Sequence, residues 1–198
     1  MEEIRAYHYT NLEALRSMKR GGISGHFVGS LDTFKGIIPR KRFIRIGQGK
    51  NLPNIAYEGV IEGLLSPKPL SWTKNAKFPG VWQYLFHDLC RTDNLALISF
   101  DLTPKDKAYV VERAYMENEL YRESKRQGKS NHETMSYACK KYWESRVPVF
   151  EYRGSYCLPQ LAIWSPIEFE RLNLEWVLPS RSVWEKVLEE TENQFPKK

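Results

Sequence analysis

The amino-acid sequence predicts an α+β fold that forms a single domain over residues 1–198. Three observations predict this class: an apolar run at residues 95–102 that is typical of a buried strand, an N-terminal strand that passes directly into a helix, and a charged helical region at residues 115–146. With 41% hydrophobic and 27% charged residues, the composition is that of a globular protein and excludes a disordered one. The length is sufficient for one substantial core.

The N-terminal strand is predicted over residues 4–9, and Thr10 or Asn11 is predicted to cap the helix that follows. A short side-chain oxygen accepts from the backbone N–H groups of the first helical turn. The helical spacing is carried by Leu12, Leu15 and Met18. His8 therefore lies where a strand passes into a helix N-terminus, a position that favours anionic ligands. The alternative for His8 is a structural hydrogen bond.

A basic stretch at residues 40–50 contains five cations interleaved with apolar residues and two glycines, and it can form either a strand or an ordered loop. Cations neutralise phosphates, and glycines let a backbone approach closely, so we predict nucleic-acid binding here. A solvated basic loop is the alternative. The cations are Arg40, Lys41, Arg42, Arg45 and Lys50. The net charge of +6 also favours an acidic partner.

The middle of the chain is predicted to contain a short helix at residues 54–65, with Ile61 and Leu64 inward. An extended segment at residues 70–73 is expected after two prolines, which restrict the backbone. Trp72 in that segment is either a core residue or a stacking face for a planar ligand. Another short helix is predicted at residues 81–86.

Further strands are predicted at residues 109–111, 161–164 and 172–178. Gln160 stands at the entrance of the second of these strands, where a polar side chain can face a cleft. The charged helical region is expected to break at residues 127–129. Capping-box patterns predict that helices begin at Ser130 and at Ser182.

Several classes of protein lose support from the sequence. The three cysteines are odd in number and widely separated, so neither a disulfide framework nor a zinc site is predicted, and a cytoplasmic location is expected. No signal peptide and no apolar run long enough for a membrane helix is found, so no membrane partner is predicted. The motifs of Rossmann folds, P-loop NTPases, zinc proteases and serine hydrolases are also missing.

Two segments resemble the ADP-ribosyltransferase superfamily, most closely the DarT type, whose members are toxins that modify single-stranded DNA. Residues 7–12, with sequence YHYTNL, resemble a shortened form of the opening His-x-Thr-x-x-Asn-Leu pattern of that family. Residues 158–167 resemble its closing strand, in which a catalytic glutamate precedes a short apolar run. The middle of the chain matches only loosely. The resemblance implies an ADP-ribosyltransferase-like fold with split central sheets, flanking helices and a helical insert.

The resemblance implies a catalytic site at His8 and Gln160, with Gln160 at the position of the family's glutamate. In the family that carboxylate binds a hydroxyl of the nicotinamide ribose and stabilises an oxocarbenium-like transition state. An amide keeps the hydrogen bond and loses the charge, and the loss of one such group can cost roughly 10²–10³ in rate. Gln160 therefore predicts weak transfer, a changed chemistry or a protein that only binds.

The resemblance also implies contacts for NAD, which would be a substrate, and no metal. His8 would bind ribose hydroxyls, and Thr10 with the Tyr9 backbone would bind the nicotinamide end. Trp72 or Tyr84 would stack on a ring. An arginine among Arg40, Arg42 and Arg45 would hold the pyrophosphate, because a guanidinium suits phosphate geometry.

Taken together, these features predict an NAD-dependent ADP-ribosyltransferase that binds NAD in a cleft between its two halves and acts on nucleic acid, with single-stranded DNA favoured. It would be a toxin with a possible antitoxin partner. One alternative is a non-catalytic nucleic-acid-binding or regulatory pseudoenzyme. Another is an RNA 2′-phosphotransferase, for which the chain lacks a clear N-terminal RNA-binding domain.

Overall fold

The structure is a computed structural model, and it describes several ranges of the chain. These are residues 3–20, 36–37, 61–69, 72, 86, 89–91, 93–116, 126–128 and 131–194. Helices and antiparallel sheets are combined within them, so the fold belongs to the predicted α+β class.

The secondary structure consists of strands, three α-helices and short 3-10 turns within the described residues. The strands are β1 (Ile4–Asn11), β2 (Gly36–Ile37), β3 (Ile61–Gly63), β4 (Asn94–Leu102), β5 (Ala108–Glu112), β6 (Val147–Pro148), β7 (Pro159–Ile163), β8 (Ile167–Glu168) and β9 (Asn173–Pro179). The helices are α1 (Leu12–Arg20), α2 (Asn131–Glu144) and α3 (Ser180–Gln194). The 3-10 turns are Leu89–Arg91, Arg113–Met116, Val149–Glu151 and Phe169–Arg171.

The apolar run at residues 95–102 forms β4, the central strand of a three-stranded antiparallel sheet in the order β1-β4-β9. A strand with neighbours on both edges and apolar residues on both faces is expected in the interior. Accordingly, Leu95, Ile98 and Phe100 are fully buried. The strands predicted at residues 4–9, 95–102 and 172–178 are therefore confirmed.

The four-stranded sheet has the order β3-β7-β5-β6, and β5 pairs with both β6 and β7 in antiparallel register. Its inner strand β7 carries the fully buried Leu161 and Ile163. The strands predicted at residues 109–111 and 161–164 are confirmed. A short ribbon, β2-β8, completes the sheets within the described residues.

The helix α1 begins where the capping argument predicts. The side-chain Oδ1 of Asn11 accepts a hydrogen bond from the backbone N–H of Ala14 at 2.7 Å, so Asn11, rather than Thr10, caps this helix. The break predicted at residues 127–129 is also found, because Gly128 has φ +72°, a conformation that glycine adopts without strain. Helix α2 follows, although Ser130 itself lies outside the described residues.

The chain forms two compact units. The β7 unit comprises Met1–Glu2, Ile38–Glu62 and Thr103–Ser165, and the β4 unit comprises Glu3–Ile37, Gly63–Leu102 and Pro166–Lys198. The β7 unit contains β5, β6, β7 and α2, whereas the β4 unit contains the three-stranded sheet, α1 and α3. The expected single-domain organisation stays a prediction.

The helix predicted over residues 54–65 is wrong at its described end, because Ile61–Gly63 is a strand. Burial alternates there, with Ile61 and Gly63 buried and Glu62 half-buried. Leu64, the next residue, forms an isolated β-bridge with Tyr7, and the two exchange backbone hydrogen bonds of 2.8 and 2.9 Å. Glycine disfavours a helix, and these backbone partners favour an extended chain. Residues 54–60 lie outside the described part.

The extended segment predicted at residues 70–73 is wrong at Trp72, which is helical and donates its backbone N–H to the Pro69 carbonyl oxygen at 2.9 Å. A proline restricts only its own φ and the residue before it, so Pro69 does not constrain Trp72. In the predicted helix at residues 81–86, Phe86 is helical and the other residues lie outside the described part.

The predicted start of the last helix is also wrong. Helix α3 begins at Ser180, whose backbone N–H donates to the Asp93 carbonyl oxygen at 3.0 Å. Ser182 therefore lies inside the helix, and Glu185 accepts from Arg181 Nε at 2.9 Å. A backbone partner from a distant turn replaces the capping box here.

Replacing Asn11 with alanine should lower the free energy of unfolding by about 1 kcal/mol, because the N–H of Ala14 loses its acceptor. Urea denaturation at neutral pH measures this change. Asn11→Asp keeps an acceptor and adds a favourable charge at the helix N-terminus, so it should stay close to the wild type. Equal stability of Asn11→Ala and the wild type would contradict the assigned cap.

Candidate functional site

The candidate site residues fall into both units. His8, Tyr9 and Thr10 lie on β1 of the β4 unit. Trp72 belongs to the same unit but lies outside β1. Gln160 lies on β7 of the β7 unit. The other predicted contacts lie outside the described residues. These are Arg40, Lys41, Arg42, Arg45, Lys50 and Tyr84.

His8 and Thr10 share one face of β1, because side chains on the same face of a strand recur every second residue. In the register with β4, His8 lies opposite Ile98 and Thr10 lies opposite Ala96. Thr10 is buried and His8 is half-buried. An imidazole and a hydroxyl are thus presented side by side on one strand that leads directly into α1.

Tyr9 projects from the other face of β1 and is a packing residue. Its ring makes edge contacts with Phe86 and Trp176, at centroid distances of 4.6 and 5.8 Å. Its hydroxyl donates to the Pro67 carbonyl oxygen at 2.5 Å. Burial, with a smaller contribution from the Glu190 carboxylate, raises the pKa of Tyr9 above its ordinary range.

The backbone of Tyr9 points away from β4. In an antiparallel pair, successive residues direct their N–H and C=O groups to opposite edges of the strand. Tyr7 bonds Leu64 through its backbone, on the edge away from β4, so the backbone groups of Tyr9 point to that same edge. The predicted ligand contact of Tyr9 concerns these groups and not its ring.

Trp72 is 2% exposed and lies in the interior of the β4 unit. This is the core position that the sequence left open as the alternative to ligand stacking. An indole in such a position contributes a large apolar area to the core.

Gln160 is a buried polar residue, 2% exposed, at the second position of β7. It lies opposite Val111 of β5, and its Oε1 accepts a hydrogen bond from the hydroxyl of Tyr142 on α2 at 3.1 Å. Trp143 of the same helix contacts Trp164, which follows β7, at a centroid distance of 5.3 Å. The side chain of Gln160 therefore faces α2.

Glu112 at the end of β5 is a buried carboxylate that sequence reasoning missed. Its oxygens accept from the backbone N–H groups of Cys157 at 2.6 Å, Leu158 at 2.8 Å and Ala114 at 3.1 Å. The available signal was a glutamate directly after an apolar strand, since a carboxylate is buried only with compensating hydrogen bonds. Two of these three partners, Cys157 and Leu158, come directly before β7.

A second set of hydrogen bonds connects Glu112 with Gln160 through α2. The backbone N–H of Glu112 donates to Ser145 Oγ at 2.9 Å, and Ser145 Oγ donates to the Tyr142 carbonyl oxygen at 2.6 Å. The hydroxyl of Tyr156 donates to the Ser145 carbonyl oxygen. We call Glu112, Tyr142, Ser145 and Gln160 the polar ring, because these bonds join them in a closed circuit through the turn at Cys157 and Leu158.

The chemistry that this arrangement allows follows from its donors and acceptors. Gln160 presents an amide, which can hydrogen-bond a hydroxyl but contributes no full negative charge. A carboxylate at the same position could accept the Tyr142 hydrogen bond and add that charge. The oxygens of Glu112 are engaged by backbone N–H donors, which makes it an anchor for the turn.

Across the part of the chain that the structure describes, no group of three His, Cys, Asp or Glu side chains is placed to hold a metal ion. In the same ranges, no helix is both long and apolar enough to cross a membrane. Cys157 is an exposed free thiol. No protein-family model, curated protein or solved structure matches this chain.

Replacing Tyr9 with phenylalanine should change how stability depends on pH. At neutral pH the variant should be less stable by about 1 kcal/mol, because the hydrogen bond to Pro67 is lost. Above the ordinary tyrosine pKa of 10.0, the unfolded wild type releases the Tyr9 proton while the folded wild type retains it. The wild type therefore loses stability as the pH rises further, and the gap to Tyr9→Phe should narrow.

Urea denaturation of both proteins from pH 7 to about 11 measures this difference. A gap that stays constant or widens in the alkaline range would contradict the raised pKa of Tyr9.

Replacing Tyr142 with phenylalanine should lower the free energy of unfolding by roughly 1–3 kcal/mol, because Gln160 Oε1 stays buried and loses a donor. Tyr137→Phe on the same helix is the matched control, since Tyr137 is 42% exposed. Its effect should be within about 0.5 kcal/mol. If both variants are equally stable in urea denaturation, the Tyr142 hydroxyl does not support Gln160.

Proposed function

We propose that this chain is an ADP-ribosyltransferase-like protein that binds NAD as a substrate and acts on nucleic acid. One observation supports the proposal: each of the two segments that resemble the family contains a strand, and a candidate site residue lies on each strand. His8 is on β1, which passes directly into the Asn11-capped α1, and Gln160 is at the second position of β7.

The proposed chemistry is the transfer of ADP-ribose. The bond between the anomeric carbon of the ribose and the nicotinamide nitrogen breaks, nicotinamide leaves with the bonding electrons, and the acceptor atom forms a new bond to the anomeric carbon while releasing a proton. His8 would bind ribose hydroxyls, and Thr10 with the Tyr9 backbone would hold the nicotinamide end. The transition state carries positive charge on the ribose, which a nearby negative charge stabilises.

Gln160 limits the rate in this proposal. Its amide, held by Tyr142, can still orient a ribose hydroxyl, but it lacks the charge that the transition state favours. The nucleic-acid acceptor is supported by the net charge of +6 and the cations within residues 40–50. The α+β class and the antiparallel strand pairs are compatible with an ADP-ribosyltransferase-like fold.

A second candidate function is a non-catalytic NAD-binding or nucleic-acid-binding protein. The observation that favours it is Gln160 itself, a buried neutral side chain whose oxygen is satisfied by Tyr142 inside the fold. Such a side chain is also typical of a purely structural amide. The two candidates differ in one product, since only the enzyme releases nicotinamide.

Nicotinamide release and label transfer from NAD should be measured for the wild type and for Gln160→Glu, with single-stranded DNA, RNA and protein as separate acceptors. We expect Gln160→Glu to be faster than the wild type by roughly 10²–10³, because it restores the charge. Adding His8→Ala to Gln160→Glu should abolish most of the gain.

Arg181→Ala is the matched surface control, because Arg181 is exposed and forms an ion pair with Glu185 on the next turn of α3. It should leave the rate of Gln160→Glu unchanged. If Gln160→Glu folds, binds NAD and releases no nicotinamide with any acceptor, transferase function is wrong and the second candidate stands. If neither form binds NAD, both NAD-based functions fail.

A further inference from the structure

We propose that Glu112 is a positioning residue for Gln160, acting through the turn at Cys157 and Leu158 and through α2. This inference rests on the proposed function, since it assigns the residue that holds the proposed catalytic amide in place. Glu112 is 8% exposed and lies one residue beyond Val111, the cross-strand partner of Gln160.

Glu112 anchors the turn that leads into β7. Glu112 accepts from the N–H groups of Cys157 and Leu158, at 2.6 and 2.8 Å, and Gln160 follows two residues after Leu158. The Arg113 N–H returns a bond to the Leu158 carbonyl oxygen at 3.0 Å. The turn is thus fixed from both its donor and its acceptor groups, which sets the position of the strand that carries Gln160.

The anchor requires a carboxylate at position 112. Both of its oxygens are used, one by Cys157 and the other by Leu158 and Ala114. Hydrogen bonds from N–H groups to an ionised carboxylate are stronger than those to a neutral acceptor. In Glu112→Gln, an NH₂ group replaces one carboxylate oxygen. An NH₂ group cannot accept a hydrogen bond, so at least one backbone N–H of the turn or of Ala114 loses its acceptor.

A separate chain of hydrogen bonds connects Glu112 with Gln160 through α2. The backbone N–H of Glu112 donates to Ser145 Oγ, Ser145 Oγ donates to the Tyr142 carbonyl oxygen, and the Tyr142 hydroxyl donates to Gln160 Oε1. The polar ring therefore constrains Gln160 at its backbone and at its side chain. Fully satisfied networks of this kind fix one side-chain arrangement in a core.

The test is nuclear magnetic resonance of the whole chain, which reads the position of Gln160 without requiring activity. The side-chain amide signals of Gln160 are identified by their absence from Gln160→Glu. Glu112→Gln should shift these signals and accelerate hydrogen exchange at the Cys157 and Leu158 amides by about tenfold or more, while Leu161 and Ile163 stay protected. Glu151→Gln, an exposed glutamate of the same unit, is the matched control and should change neither.

The separate effects on kcat and KM distinguish a positioning role of Glu112 from a purely structural one. In the Gln160→Glu background, Glu112→Gln should lower kcat by about tenfold with little change in KM, because the group that stabilises the transition state is misplaced while NAD contacts remain. Glu112→Asp keeps the charge and should recover part of the loss. Should Glu112→Gln fail to fold, Ser145→Ala breaks the same ring at its other connection and should shift the same Gln160 signals.

Unchanged Gln160 signals and unchanged exchange at Cys157 and Leu158 in the folded variants would overturn the positioning role. Equal acceleration of hydrogen exchange at all backbone amides would also overturn the positioning role, because it indicates only a loss of global stability. The absence of NAD cleavage in both the wild type and Gln160→Glu would instead contradict the proposed function, and the resonance measurements would still decide whether Glu112 positions Gln160.

Discussion

A polar amide lies in the apolar interior of the β7 unit, and the hydrogen bonds that it requires join the elements around it. Gln160 is almost fully buried, and a buried amide without partners would be strongly destabilising. Tyr142 supplies a donor from α2, and Ser145 at the end of that helix is bonded to Glu112 on β5. One polar ring thus fixes the helix against the sheet and the turn before β7, because hydrogen bonds are directional.

The β4 unit is organised by different and more local forces. Its central strand is buried because it is apolar on both faces, and α1 begins where it does because Asn11 accepts from the first turn. His8 and Thr10 share a face of β1 as a direct result of strand periodicity. Tyr9 packs its ring against Phe86 and Trp176, so the ligand contact proposed for Tyr9 concerns its backbone.

This difference explains how much could be predicted from the sequence. The α+β class, β4, a cap at Thr10 or Asn11 and the turn at Gly128 follow from local composition. The strand that carries His8 also follows from it, whereas β7 begins at Pro159, so Gln160 lies within that strand and not at its entrance. The strand at Ile61–Gly63 depends on partners in other strands, and the start of α3 depends on the carbonyl oxygen of Asp93. Glu112 was missed because the N–H groups of its principal partners are 45 and 46 residues away in sequence. No local pattern reports such contacts.

The proposal that most needs a direct test is that His8 on β1 binds NAD. Calorimetric titration of NAD into the wild type, His8→Ala and Arg181→Ala tests it most directly, because binding does not depend on the charge that Gln160 lacks. We expect binding to the wild type and to Arg181→Ala, and an affinity lower by about tenfold or more for His8→Ala, which corresponds to about 1.4 kcal/mol or more. No binding to the wild type, or equal affinity for all three proteins, would contradict it.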